Sequence, residues 1–394
     1  VAIVGAVAMV FTFGTPLSYG VFRTPLSETY SVSPVAMSGV FSVMLCTFFI
    51  GSGAVGVFAT RLPVRPILLV CAGATGLVAP ALYVVDSYLG LAVVFGVLGL
   101  TLGTVYVLVA SIVPRWFDER TGAATGLIFV GNGLGLFVLP PLWQYAFARL
   151  EVPQAFLIVM SITAAAFGLA GLVCRRPAWV DQSPATTDAP GEWLLRVGRT
   201  RQFQLLFVGM GLAFGWYQLL AAYAVDLFAF RGLSEAGASI AFGAIGGVSI
   251  VSRIGSGVTA DVIGFRRAFL LSLGCAAAGI GLLFFSHLPI LAAGVFLIGI
   301  GLGGAATLYI PLLMRTYHPK HDTAITGIMN VAAGIAGLGM PPLGTALVVS
   351  TDGFTATIAL TLATITVGIW AVSAGTAAPS LRPTTTPTNG QNRR

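Results

Sequence analysis

Charge is what this sequence has least of. Of its 394 residues 8% are charged and 57% hydrophobic, whereas about a quarter of a soluble globular chain is charged. A mean hydropathy of +0.94 points the same way, so a soluble domain is excluded. Histidine and cysteine are scarce too. His287, His318 and His321 fall in loops. Cys46, Cys71, Cys174 and Cys275 lie in or beside apolar spans, without metal-ligand spacing or a disulfide framework. They read as small packing residues. No paired carboxylates or histidine cluster stands at membrane depth, so an intramembrane hydrolase or transferase has no catalytic set here. No enzyme activity, cofactor or metal is expected.

What is present is apolar length. Runs of about 20 residues, enough to cross a hydrocarbon core, fall at 1–22, 35–59, 66–86, 88–113, 122–147, 152–174, 204–228, 236–260, 267–286, 288–314, 322–349 and 354–377. The first lacks the basic start and small-residue cleavage site of a signal peptide and is read as a span. The net charge of +7 would suggest nucleic acid in a soluble protein, but here the basic residues sort by loop. Arg61, Arg65, Arg115, Arg120, Arg266, Arg267, Arg315 and their like follow even-numbered spans; Arg23, Arg149 and Arg231 follow odd ones. Basic loops stay cytoplasmic, so both termini are expected inside, in a cytoplasmic membrane, with lipids and no nucleic acid as partners.

The chain also repeats. Shifted by 201 residues without a gap, Phe13 and Gly14 fall on Phe214 and Gly215, Ser33 on Ser234, Gly103 on Gly304, and Pro140-Pro141-Leu142 on Pro341-Pro342-Leu343. The expected fold is therefore all-α and polytopic, with twelve transmembrane helices in two pseudo-symmetric six-helix bundles. Residues 1–174 and 204–378 form the bundles. A polar cytoplasmic linker, 175–203, joins them, and 379–394 form a disordered tail. Parallel repeats with a site between them at the midplane are a recurrent transporter design, and a monomer is expected.

Arg253 is the one basic residue set well inside a span. It lies eight residues before Asp261, about 12 Å deep at 1.5 Å per residue, beyond comfortable snorkelling reach. A buried arginine is expensive and normally faces the bundle interior and binds something. A guanidinium presents a planar fork to a carboxylate, so Arg253 reads as an anion site, with a purely structural arginine as the bland alternative.

The loop closing the eighth span carries Gly257, Asp261, Gly264, Arg266 and Arg267, and this pattern resembles the loop between spans two and three of the major facilitator superfamily. The first-half copy keeps Gly56, Arg61 and Arg65 but has Thr60 and Pro63 where an aspartate and a glycine belong. More narrowly, Tyr19-Gly20-Val21-Phe22 with Pro25-Leu26, and Arg115-Trp116-Phe117 with Arg120, Gly122, Ala124 and Gly126, resemble the prokaryotic monocarboxylate porter and oxalate–formate exchanger branch. That resemblance implies alternating-access transport of a small organic anion, with proton symport or anion exchange as the coupling. It implies an arginine on the eighth span, at Arg253, and cavity tyrosines, here Tyr106 and Tyr309, each of which could equally be a packing aromatic. Asn330 is a weaker candidate. The loop residues imply a gate, with Asp261 reaching the start of span five near Thr121 and Gly122. Ser249 stands where animal monocarboxylate carriers have an aspartate, and span eleven has no internal cation, so one negative charge on the substrate fits better than two. A multidrug exporter of the same superfamily and a ligand-binding membrane sensor are the rival readings. Asp226 and Glu28, near the outer ends of their spans, are expected on a solvated face, with a proton-handling role as the alternative.

Overall fold

The computed structural model describes residues 1–58, 63–116, 121–174, 197–317 and 322–377, without the side chains of 56–58, 114–115, 121–126, 314 and 322–324. Thirteen α-helices run through the described residues: α1 (Ala2–Leu17), α2 (Tyr19–Thr29), α3 (Pro34–Phe58), α4 (Val64–Ala81), α5 (Tyr88–Ile112), α6 (Thr121–Phe147), α7 (Val152–Val173), α8 (Arg201–Phe230), α9 (Glu235–Ile263), α10 (Phe265–Leu282), α11 (Leu288–Thr316), α12 (Asp322–Thr351) and α13 (Thr355–Gly375). Eleven are each long and apolar enough to cross a membrane, and the bent pair α1–α2 makes a twelfth span. Helix is what such sequences must form there, because hydrocarbon offers no partner to an unpaired backbone group. Starts are marked by short polar side chains. Ser87, Thr200 and Ser234 accept first-turn amides at 3.1, 3.3 and 3.1 Å, the usual N-cap chemistry. At the end of α9, Gly264 turns the chain with φ +86°, a conformation that a Cβ penalises.

The first span is longer than 1–22. Its axis bends by 57° between α1 and α2, just past Pro16, which cannot donate a backbone bond. At the break the Ser18 hydroxyl donates to the Gly14 carbonyl at 2.6 Å, alongside the Ser18 backbone N–H at 3.0 Å. The continuation to Thr29 carries Arg23 into the bundle, where it is 9% exposed.

The repeat is visible in the packing. In the first half α1 packs on α6, α3 on α5, and α4 on α7; in the second, α8 packs on α12, α9 on α11, and α10 on α13. Between halves α3 lies along α12, and its repeat counterpart α9 lies along α6. Close approach needs glycine, since lipid tails are as apolar as the helices and association rests on van der Waals fit. A Cβ on Gly103 would stand 2.0 Å from the Phe48 carbonyl oxygen, and one on its counterpart Gly304 2.1 Å from the Ser272 hydroxyl.

The bundle has a basic end, holding Arg65, Arg199, Arg266 and Arg267, and a far end. Polar contacts tie the halves at the far end. Ser38 bonds Thr345 at 2.6 Å, and Gln144 donates to Glu235 at 3.0 Å. Arg23 and Asp226 form the one ion pair found among the described residues, with side chains 11% and 28% exposed. Asp226 is therefore not on a solvated face: the extra turns of α2 bring a guanidinium to it across the interface.

Removing one member of a shielded pair strands the other's charge, while an intact pair can be nearly neutral overall. Asp226→Asn should therefore loosen the far end, and the Arg23→Asp/Asp226→Arg exchange should restore it. Spin labels at the exposed positions Ala148 and Asp352 report this. A longer, broader distance distribution is expected for Asp226→Asn and a wild-type one for the exchange; identical distributions in all three proteins would refute the latch.

Candidate functional site

A cavity lies between the halves, bounded by α1, α3, α5 and α6 on one side and α8, α9, α11 and α12 on the other. Its wall is largely aromatic, with Phe13, Phe48, Phe49, Phe129, Phe214 and Trp216 among its lining residues. Ring contacts within both halves build this wall. Phe13 meets Tyr106 with ring centroids 5.6 Å apart, and its repeat counterpart Phe214 meets Tyr309 at 5.1 Å. The space open to the centre of a water-sized sphere is about 50 Å³. Since one water needs roughly 10–15 Å³ by that measure, the cavity holds a few waters or a solute of a few heavy atoms.

Arg253 is the one charged side chain in the wall. It is 7% exposed, and its Nε and Nη1 atoms have no hydrogen-bond partner. Its neighbours are the Tyr106 and Tyr217 side chains and the Phe129 ring, whose centroid is 5.9 Å from the guanidinium carbon. One helical turn before it, the Ser249 hydroxyl is committed to the Gly246 carbonyl at 2.7 Å. Nothing in the described surroundings neutralises the charge.

The expected cavity residues converge. Tyr106 on α5 and Tyr309 on α11 line the space, and their hydroxyls approach one another from opposite halves. Asn330 on α12 lines it too, but its Nδ2 also donates to the Ser52 hydroxyl on α3 at 3.3 Å, so part of its role is to join the halves. Four polar cavity residues did not stand out in the sequence: Asn132, Trp216, Tyr217 and Gln218. Each has a buried polar atom without a partner. For Asn132 and Gln218 the signal was an amide inside an apolar span. For Trp216 and Tyr217 there was none, because a lipid-facing or packing aromatic looks the same in sequence.

The loop residues are more dispersed. Arg266 donates from Nε to the Thr376 hydroxyl at 2.8 Å and from Nη2 to the Ser373 carbonyl at 2.9 Å, fastening α10 to the end of α13 within one half. Asp261 and Arg65 are exposed, and Gly257 has open space where a Cβ would stand. Gly264 forms the turn already described. Gly56 lies in the last turns of α3, its surroundings outside the description, as are Arg61 itself and the side chains of Thr121 and Gly122.

The family model of the Major Facilitator Superfamily matches residues 2–338 and 205–393. Among curated proteins, the chain is 28% identical to an uncharacterized 38 kDa protein in the 23S RNA operon of Thermoproteus tenax, over 60% of this chain and 58% of that one. It is 23% identical to monocarboxylate transporter 2 of Meriones unguiculatus, over 88% of this chain and 77% of that one. Among solved structures, a single-residue mutant of the nucleoside transporter NupG superposes with a TM-score of 0.76 at 11% identity, covering 95% of this chain and 99% of that one. At that identity the likeness concerns the fold. With the repeat, the twelve spans and the central cavity, these matches place the chain in the Major Facilitator Superfamily, as a multi-pass membrane transporter rather than an enzyme.

Proposed function

We propose that the chain carries a small monocarboxylate across the cytoplasmic membrane by alternating access, coupled to protons or to exchange with a second anion. The observation that carries this reading is the unpartnered Arg253 guanidinium, the one charge in the wall of a small aromatic cavity between two halves. A carboxylate supplies the missing counter-charge, and its apolar remainder suits the phenylalanine wall. The limited space argues against a large multidrug-type solute. The likeness to monocarboxylate transporter 2 supports the same class.

In this reading Arg253 holds the carboxylate through its fork, and the Tyr106, Tyr309 and Asn330 side chains complete the cage. Residues 1–174 and 204–378 rock against each other about the 175–203 linker. The chain acts as a monomer. Gly56, Arg61, Arg65, Gly257, Asp261, Gly264 and Arg266 shape the gate at the basic end, with Asp261 reaching the start of α6. There the free first-turn amides and the positive end of the helix dipole favour a carboxylate.

Binding of carboxylate by a guanidinium is worth about 1.5–3 kcal/mol net, so its loss should weaken affinity roughly tenfold to a hundredfold. Arg253→Gln, folded and inserted, is expected to lose uptake of labelled C2–C4 monocarboxylates in proteoliposomes, and Arg253→Lys to keep part of it. Wild-type affinity in Arg253→Gln would make the arginine structural. For the gate, Asp261→Asn should slow transport and raise labelling of cysteines at the basic end; normal rate and labelling would remove Asp261 from the gate. For orientation, a tag after Arg394 should be reached only in permeabilised cells, and access in intact cells would invert the topology.

A further inference from the structure

Basic loops follow from the orientation of the spans, but orientation does not require their charges to gather around one space. At the basic end of the second half they do. A pocket with about 380 Å³ open to the centre of a water-sized sphere lies where α10 begins and α11 and α13 end. Arg266 and Arg267 from α10 and Arg315 from the last turn of α11 line it together. Two of the three are held in place. Arg266 is tied to the end of α13 through Nε and Nη2, and the Arg315 guanidinium lies over the Phe265 ring, 4.2 Å from its centroid. No carboxylate lines the pocket, and none of the three arginines is ion-paired among the described residues. The helix start adds to the deficit of negative charge. Gly264, at the N-cap of α10, has no side chain to offer, so the amides of Phe265, Arg266 and Arg267 have no intrahelical acceptor.

Like charges around one space repel unless water or an anion stands between them, and guanidinium groups beside a helix N-terminus are phosphate-binding chemistry. We infer that this pocket binds the phosphate of an anionic phospholipid. A lipid, rather than a free ion, follows from what lies alongside. A groove between α9, α10 and α11 includes Ala268, the residue after Arg267, and is walled by Val251, Leu271 and Phe296, which are 73%, 54% and 54% exposed. On a membrane-spanning chain such a groove receives an acyl chain. Basic pockets between transmembrane helices take anionic head groups in this way. The bound phosphate brings Arg315 of α11 to α10, which Arg266 already fastens to α13. The inference does not depend on what the central cavity carries.

Native mass spectrometry of the full chain in detergent, titrated with dioleoyl phosphatidylglycerol or dioleoyl phosphatidylcholine, tests this with the acyl chains held constant. Wild type is expected to hold phosphatidylglycerol roughly tenfold tighter than phosphatidylcholine, whose ammonium offsets its phosphate. Arg267→Gln and Arg315→Gln should each weaken the phosphatidylglycerol complex roughly fivefold. Arg199→Gln removes an arginine at the same end but outside the pocket and should leave the complex unchanged. If one pocket variant fails to fold the other serves, and if both fail the wild-type preference decides. Equal binding of the two lipids by wild type overturns the inference. So does an equal loss in Arg199→Gln, which would make the attraction diffuse. Displacement of phosphatidylglycerol by an equal concentration of inorganic phosphate overturns it too, because the ligand is then the free ion.

Discussion

The arrangement turns on one uncompensated charge. A guanidinium in a low-dielectric interior needs either water or an anion around it, and Arg253 has neither a carboxylate one turn away nor a hydrogen-bond partner on Nε or Nη1. Its surroundings come from both halves: Phe129 and Tyr106 from the first, Tyr217 from the second. Any rotation of one half against the other changes the cage around the charge. A ligand that neutralises Arg253 therefore interacts differently with each arrangement, and such differential interaction is the requirement for shifting a two-state equilibrium.

Each half is tightly packed within itself. Inside each, glycines let backbones approach so closely that a single methyl would meet a carbonyl or hydroxyl oxygen, as at Gly103 and Gly304, and such overpacking is not absorbed cheaply. Between halves glycines serve in the same way, a Cβ on Gly246 standing 2.3 Å from the Leu136 side chain and one on Gly53 2.7 Å from the Gly327 carbonyl oxygen. Polar pairs add to the contact: Arg23 with Asp226, Ser38 with Thr345, Gln144 with Glu235, and Asn330 with Ser52. Polar pairs of this kind can exchange protein partners for water when a mouth opens, at modest net cost. Apolar interdigitation has no such substitute.

Apolar run length and the 201-residue register made the twelve spans and their pairing legible, because both follow from properties each residue carries locally. Arg253 was legible because a charge in a span has few explanations. Three things were not. The bend at Ser18 and the run of α2 to Thr29 were hidden by a Pro, a Ser and an Arg that look like a span ending. The Arg23–Asp226 pair joins residues 203 apart, each unremarkable alone. Trp216 and Tyr217 needed the helix rotation to be known before cavity and lipid faces could be told apart. Gln218 was an amide inside an apolar span, but its bond to the Ala333 carbonyl, which joins α8 to α12, needed the fold.

The repeat holds where packing is concerned and breaks where chemistry is. Phe13 and Phe214 are counterparts that both line the cavity, although the tyrosines they touch are not counterparts, since the 201-residue shift carries Tyr106 onto Thr307. The glycines at 103 and 304 are kept. Yet under the same 201-residue shift the counterpart of Arg253 is Ser52, and that of Gln218 is Leu17, which also lines the cavity. A second arginine at position 52 would place two cations around one cavity, repelling each other by about 332/(εr) kcal/mol with the reduced dielectric of an interior. One negative charge on a ligand could not neutralise both. Ser52 instead accepts from Asn330, so the position that could have doubled the charge joins the halves. The asymmetry leaves a cavity with one positive pole among aromatic rings.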